Sequence, residues 1–225
     1  MRSWKSILLR YLGLAAAVFC VSATALAAPD VSRIAAQVDA HYNRLRTLQA
    51  DFTETYTGAG VSRVESGTLW LQRPGRMRWE YRQPREKLFL SDGHTAWFYV
   101  PGEKQVREIP VKKLEDLRSP LAYLLGHTKL RKEFTGLSLA PDVKPETPDG
   151  VVLRGVPRKM GDISQVLMEV APDGRLLRVL IAQDDGSTTD FHFLNEKQVA
   201  AVSDRNFRFS PPPGVETIEM DQLNP

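Results

Sequence analysis

Few residues in this chain have the types and spacing that chemistry needs. The four histidines, His41, His94, His127 and His192, are scattered, and no two sit at metal-ligand spacing. Cys20 is the only cysteine. Asp184-Asp185-Gly186 resembles the start of a calcium loop, but no bidentate Glu follows, so it reads as a turn. Glycine-rich phosphate loops, a nucleophile elbow and an HExxH pair do not occur in the sequence. No metal and no cofactor is expected, and an enzyme is the least favoured class. The remaining charged feature is basic: Arg73, Arg76, Arg78, Arg82, Arg85 and Lys87, opposed by Glu80 and Glu86. These read first as a solvated strand face, and in a sharper reading as the rim of a cavity mouth. The chemistry on offer is therefore recognition.

The apolar residues that could do the recognising are concentrated between Glu65 and Pro101. Trp70, Trp79, Tyr81, Phe89, Trp97, Phe98 and Tyr99 all fall there. Period-two alternation divides the stretch into strands joined by tight turns, with Leu69 and Leu71 opposite Trp70 and with Met77, Trp79 and Tyr81 opposite Arg78, Glu80 and Arg82. Asp92-Gly93 makes a hairpin turn. So many large side chains must either pack into a filled core or line a cavity.

Two helical segments are available to cover them. After Asp30 as N-cap, Val31, Ile34, Val38, Tyr42, Leu45 and Leu48 recur at spacings of three and four, which predicts an amphipathic helix over 31–49. Ser119-Pro120 opens a second, short helix that closes at Gly126 and carries Leu121, Tyr123, Leu124 and Leu125. It is too short to be stable alone and apolar almost all round, so it must lie on the sheet. Further strands are expected at 151–156, 163–170, 175–183 and 188–194, with a short last strand at 215–218. The sequence predicts one α+β domain dominated by an antiparallel meander, from 28 to 225.

Residues 1–27 have the plan of a secretory signal peptide. Arg2, Lys5 and Arg10 precede an apolar run, and Ala25-Leu26-Ala27 supplies small residues for cleavage. Cleavage takes three of the 30 basic residues and none of the 27 acidic ones, leaving a chain neutral by count. A nucleic-acid partner is not expected of such a chain. Phe19 beside Cys20 is a poor fit to a lipid-attachment site, so a mature chain without cysteine is expected.

The run Ser66-Gly67-Thr68-Leu69-Trp70-Leu71-Gln72-Arg73-Pro74, with Met77-Arg78-Trp79-Glu80-Tyr81, Ser91-Asp92-Gly93 and Trp97-Phe98-Tyr99, resembles the periplasmic outer-membrane lipoprotein carrier family (LolA-like). The first helix, the Ser119-Pro120 helix and the late Phe207-Arg208-Phe209 with Pro-Pro-Gly extend the likeness over the whole mature chain. The resemblance implies a strongly curved, incomplete antiparallel β-barrel with a helical lid over an apolar cavity. It implies a monomeric carrier without activity of its own, which takes acylated lipoproteins from an inner-membrane ABC-type transporter to an outer-membrane receptor lipoprotein. The expected cavity residues are Leu69, Leu71, Met77, Trp79, Tyr81, Trp97 and Tyr99 on the sheet, with Ile34, Val38, Leu45, Leu121, Leu124 and Leu125 on the helices. The family's functional arginine, which bonds to the lid and holds it closed, falls on Arg73. A large residue used for partner contact falls on Met77, where the family commonly has an aromatic. A sensor or adaptor of the same fold, or a carrier of another lipid such as a glycolipid, is the alternative reading.

Overall fold

A computed structural model describes residues 30–114, 129–158, 162–199 and 202–219. The expected signal peptide and the Ser119–Gly126 helix, with Leu121, Leu124 and Leu125, lie outside these. Helix α1 (Val31–Arg44) starts where Asp30 accepts a hydrogen bond from the Ser32 N–H at 2.9 Å. It ends five residues earlier than its apolar periodicity suggests. Leu45 is already extended, with φ −78° and ψ 129°, and Leu48 sits on the first strand. Both still reach the same core, Leu45 as the C-cap of the helix and Leu48 at an inward position of the strand that follows.

The strands are β1 (Thr47–Gly58), β2 (Val61–Gln72), β3 (Arg76–Gln83), β4 (Lys87–Asp92), β5 (Thr95–Tyr99), β6 (Gln105–Pro110), β7 (Phe134–Leu139), β8 (Val151–Pro157), β9 (Ile163–Val170), β10 (Leu176–Gln183), β11 (Thr188–Gln198) and β12 (Glu216–Glu219). Two single-turn helices, α2 (Val111–Leu114) and α3 (Leu130–Glu133), interrupt them. Among the described residues the twelve strands form one open sheet in the order β12-β6-β5-β4-β3-β2-β1-β11-β10-β9-β8-β7. Every neighbouring pair is antiparallel except β12, which runs parallel to β6. The sequence did not announce α3 and β7, whose few apolar residues are too short a run to show a period.

The sheet is curled. Its sharpest local device is at Gly67, where the β2–β3 register shifts and a Cβ would fall 1.9 Å from the Glu80 carbonyl oxygen. Only glycine permits that approach. On the concave side α1 packs Ile34, Ala35, Val38 and Tyr42 into a core with Leu153, Val166, Met168 and Val179 from β8–β10. Two polar ties join it to α3: Asp39 accepts from the Leu130 N–H at 3.0 Å, and Arg131 donates to Ser32 Oγ at 2.8 Å. On the convex side a 3₁₀ turn at Asp204–Phe207 buries Phe207 against β3 and β4. Arg78 donates to the Asn206 carbonyl at 3.0 Å, and Arg76 pairs with Asp204 at 2.5 Å. That docking consumes part of the basic cluster.

Candidate functional site: the concave wall

Alternation and cross-strand register together decide which side chains share the concave face. Directly paired residues of neighbouring strands point the same way, so Leu69 and Leu71 on β2 stand beside Trp79 and Met77 on β3. All four are buried. Phe52 on β1 completes the wall, its ring edge-on to Trp79 at 4.7 Å and to Tyr81 at 4.9 Å. Trp79 also meets Phe191 and Phe193 of β11 at 5.8 and 6.5 Å. Such edge-to-face groups hold one another in fixed orientations.

The structure therefore brings together Leu69, Leu71, Met77, Trp79 and Tyr81 with Ile34, Val38 and Leu45 of the helix and its cap. It does not bring Trp97 and Tyr99 to them. Trp79 pairs with Phe89 and Phe89 with Phe98, so the concave residue of β5 is Phe98. Trp97 and Tyr99 pair with Leu90 and Leu88 on the convex face. There Trp97 stacks on Phe209 at 6.0 Å and donates its indole N–H to Glu108 Oε2 at 2.8 Å, while Tyr99 lies 5.7 Å from Phe209. The two were expected inside because adjacent aromatics in one strand look alike in sequence. Only the register tells which alternate set faces in.

Three wall residues escaped sequence reading: Phe52, Phe191 and Phe193. The signal was available in the Phe191-His192-Phe193 alternation and in the Thr-flanked Phe52.

Arg73 stands where β2 ends, beside the last turn of α1. Its backbone N–H donates to the Arg46 carbonyl at 2.9 Å and its guanidinium to Asn43 Oδ1 at 3.1 Å. Burial pulls its pKa below the ordinary arginine value. Between it and the helix is a cleft of about 10 Å³ lined by Tyr42, Leu45, Leu48 and Leu71. That is room for one water, whereas ligand pockets occupy several hundred Å³.

The same last turn of α1 also makes a buried polar contact. His41 Nε2 lies 2.5 Å from Glu196 Oε1, and Tyr42 donates to Glu196 Oε2 at 3.0 Å while accepting from the Leu176 N–H at 2.9 Å. Burial, reinforced by the Glu196 charge, holds the Tyr42 phenol well above its usual pKa. Tyr81 is raised in the same way, by burial first and then by Glu54, to which its hydroxyl donates at 2.8 Å.

Comparison with known proteins points in one direction. The family model described as "Outer membrane lipoprotein carrier protein LolA" matches residues 43–210. The outer-membrane lipoprotein carrier protein of Chromobacterium violaceum is 31% identical, over 88% of this chain and 94% of its own length. That of Nitrosospira multiformis is also 31% identical, over 77% of this chain and 82% of its own. Among solved structures, an uncharacterized conserved protein from Thermus thermophilus superposes with a TM-score of 0.53 over 84% of this chain and 98% of its own, at 13% identity. It shares the fold.

Proposed function

The chain belongs to the outer-membrane lipoprotein carrier family, and on that premise we propose that it holds the acyl chains of lipoproteins against the concave wall and carries them across the periplasm. The observation that carries the reading is the wall itself: Leu69, Leu71, Met77, Trp79 and Phe52 form a continuous apolar surface from three strands of a curled sheet. Ile34, Val38 and Leu45 of the covering helix complete the proposed cavity lining. Leu121, Leu124 and Leu125 belong to the proposed lid on the strength of the sequence.

Reversibility follows from what covers the wall when no cargo is bound. Each acyl methylene buried is worth ~0.8 kcal/mol, so several chains gain tens of kcal/mol gross. Uncovering the wall gives much of this back, since each apolar side chain of the helices that leaves it forfeits ~1.5–3 kcal/mol. Binding and release are thereby brought close to balance. Arg73 is the proposed latch, its bond to Asn43 favouring the covered state by ~1.5–3 kcal/mol. The donor is an inner-membrane ABC-type transporter and the acceptor an outer-membrane receptor lipoprotein, with this protein contributing transport and no catalysis.

The test is native mass spectrometry of the purified mature protein mixed with a triacylated lipoprotein from spheroplasts. A one-to-one complex that survives desalting is expected. Failure with every triacylated cargo tried would remove the reading.

A further inference from the structure

Beyond Phe52 and Trp79, away from Arg73, the concave face changes character. Tyr81 marks the step, with its ring on Phe52 and its hydroxyl on Glu54. Past it, Glu65 stands directly opposite Glu54, Lys87 directly opposite Tyr81, and Arg63 directly opposite Tyr56. Lys87 pairs with Glu65 Oε1 and lies over the Tyr81 ring, 5.6 Å from its centroid. The Arg63 Nε is 3.3 Å from the other Glu65 oxygen, and its guanidinium lies over Tyr56 at 5.5 Å. Strands β1, β2 and β4 thus contribute one ionic belt of two carboxylates and two cations, with Arg63 two residues further along β2 than Glu65.

Such a belt is a poor way to stabilise a wall. The Glu65 side chain is 5% exposed and that of Lys87 18%. Desolvating a pair of this kind cancels most of its attraction, and apolar residues of equal volume would serve as well or better. Like charges directly across a sheet add repulsion. Burial, with the neighbouring Glu65 charge, pushes the Glu54 carboxyl up. The belt stands where the apolar surface ends, and an amphiphile lying along the trough meets it with its polar end.

Resting on the carrier reading, we propose that Glu54, Arg63, Glu65 and Lys87 form the subsite for the polar end of the acylated cargo and select an uncharged ester-and-amide head over a lipid phosphate. The charges of the belt balance, so it offers donors and acceptors without net sign. Ester and amide carbonyls accept from Lys87, whose ammonium has three donors, and from Arg63. An amide N–H donates to a carboxylate oxygen of Glu54 or Glu65. A phosphate reaching either cation also comes against both carboxylates. From the belt the acyl chains run past Trp79 and Leu69 toward Leu71 and Met77.

Native mass spectrometry with two probes separates the possibilities: a synthetic tripalmitoyl-cysteinyl peptide amide, and dipalmitoyl phosphatidylglycerol. Wild type is expected to bind the lipopeptide, Lys87→Gln to bind it about tenfold more weakly, and Lys87→Arg to restore it. Glu54→Gln with Glu65→Gln is expected to bind phosphatidylglycerol about tenfold more tightly than wild type does. A lipopeptide carrying a diazirine at its head amide needs no variant, and should label wild type at residues 54–65 and 81–87. Labelling beside Arg73, or variants that bind both probes as wild type does, overturns the subsite and leaves the carrier reading standing. A wild-type protein that binds no lipopeptide overturns both.

Discussion

Trp79 on β3 and Phe191 on β11 meet edge to face with ring centroids 5.8 Å apart, although two strands lie between theirs. Three strand spacings in a flat sheet amount to about 14 Å. The contact therefore measures the curl: the concave side chains converge while their backbones stay apart. Phe52 fills the angle between them, on the strand that pairs with β11 on one side and β2 on the other.

Trp79→Ala removes the ring on which three phenylalanines converge. A loss of about 3–5 kcal/mol in urea unfolding is expected, as for other large-to-small changes in a packed core. Trp97 offers the matched control, since it is half-buried on the convex face against Phe209. Trp97→Ala should lose about 0.5–1.5 kcal/mol of ring contact beyond its area and leave lipopeptide binding unchanged. Equal loss of binding in both variants would mean that the two faces had been wrongly separated.

Arg73→Leu keeps bulk and removes the donor to Asn43. On the latch proposal the covered state weakens, so uptake of a lipopeptide persists while release to an acceptor slows. The expected change is about tenfold in release, matching one charge-assisted hydrogen bond. Arg73→Lys keeps the charge without the planar fork and should fall between the two. The measurement is transfer of a labelled lipopeptide from loaded carrier to acceptor vesicles, and release at the wild-type rate would end the latch idea.

The legible part of this molecule is the part written in local periodicity. Most strands, α1 and the turn glycines could be placed because alternation and turn chemistry act over a few residues. Leu69, Leu71, Met77 and Trp79 could be set on one face for the same reason. What alternation leaves open is which of two faces is concave, and Trp97 and Tyr99 went to the wrong one because their own strand holds aromatics on both sides. Phe191 and Phe193 lie more than a hundred residues from Trp79, and only sheet closure brings them together. The Glu196 hub is illegible for the same reason: its partners His41 and Tyr42 are 155 and 154 residues away.

Glu169 is buried on the convex face at 2% exposure and ties the loop after β7 to the sheet. Desolvation alone would raise its carboxyl, but the backbone N–H groups of Glu146 and Thr147 and the Thr147 hydroxyl outweigh it, and the net shift is below the ordinary 4.5. A carboxylate with a lowered pKa contributes stability that is present above the unfolded value and is lost as pH falls through the folded one. Glu169→Gln should therefore be about 1–3 kcal/mol less stable than wild type at neutral pH. The gap should close as the pH drops below about 4.5. Urea midpoints at a series of pH values test this, and a pH-independent gap would contradict it.

Tyr42→Phe isolates the polar anchor beneath α1. The hydroxyl accepts from the Leu176 N–H at 2.9 Å and donates to Glu196 at 3.0 Å, so its loss strands a buried backbone donor and leaves Glu196 with one fewer partner. The ring stays and the apolar packing with it, which makes the change a clean measure of the two hydrogen bonds. A loss of about 1–3 kcal/mol is expected. Because Leu176 opens β10, its amide should exchange with solvent faster in the variant, while amides in the β1–β2 hairpin keep their protection. The same anchor joins α1 to β10 and β11, so weakening it should make the wall easier to uncover and raise binding of an apolar fluorescent dye. Unchanged exchange at Leu176 would show that water replaces the hydroxyl there and that the helix is held by its apolar face alone.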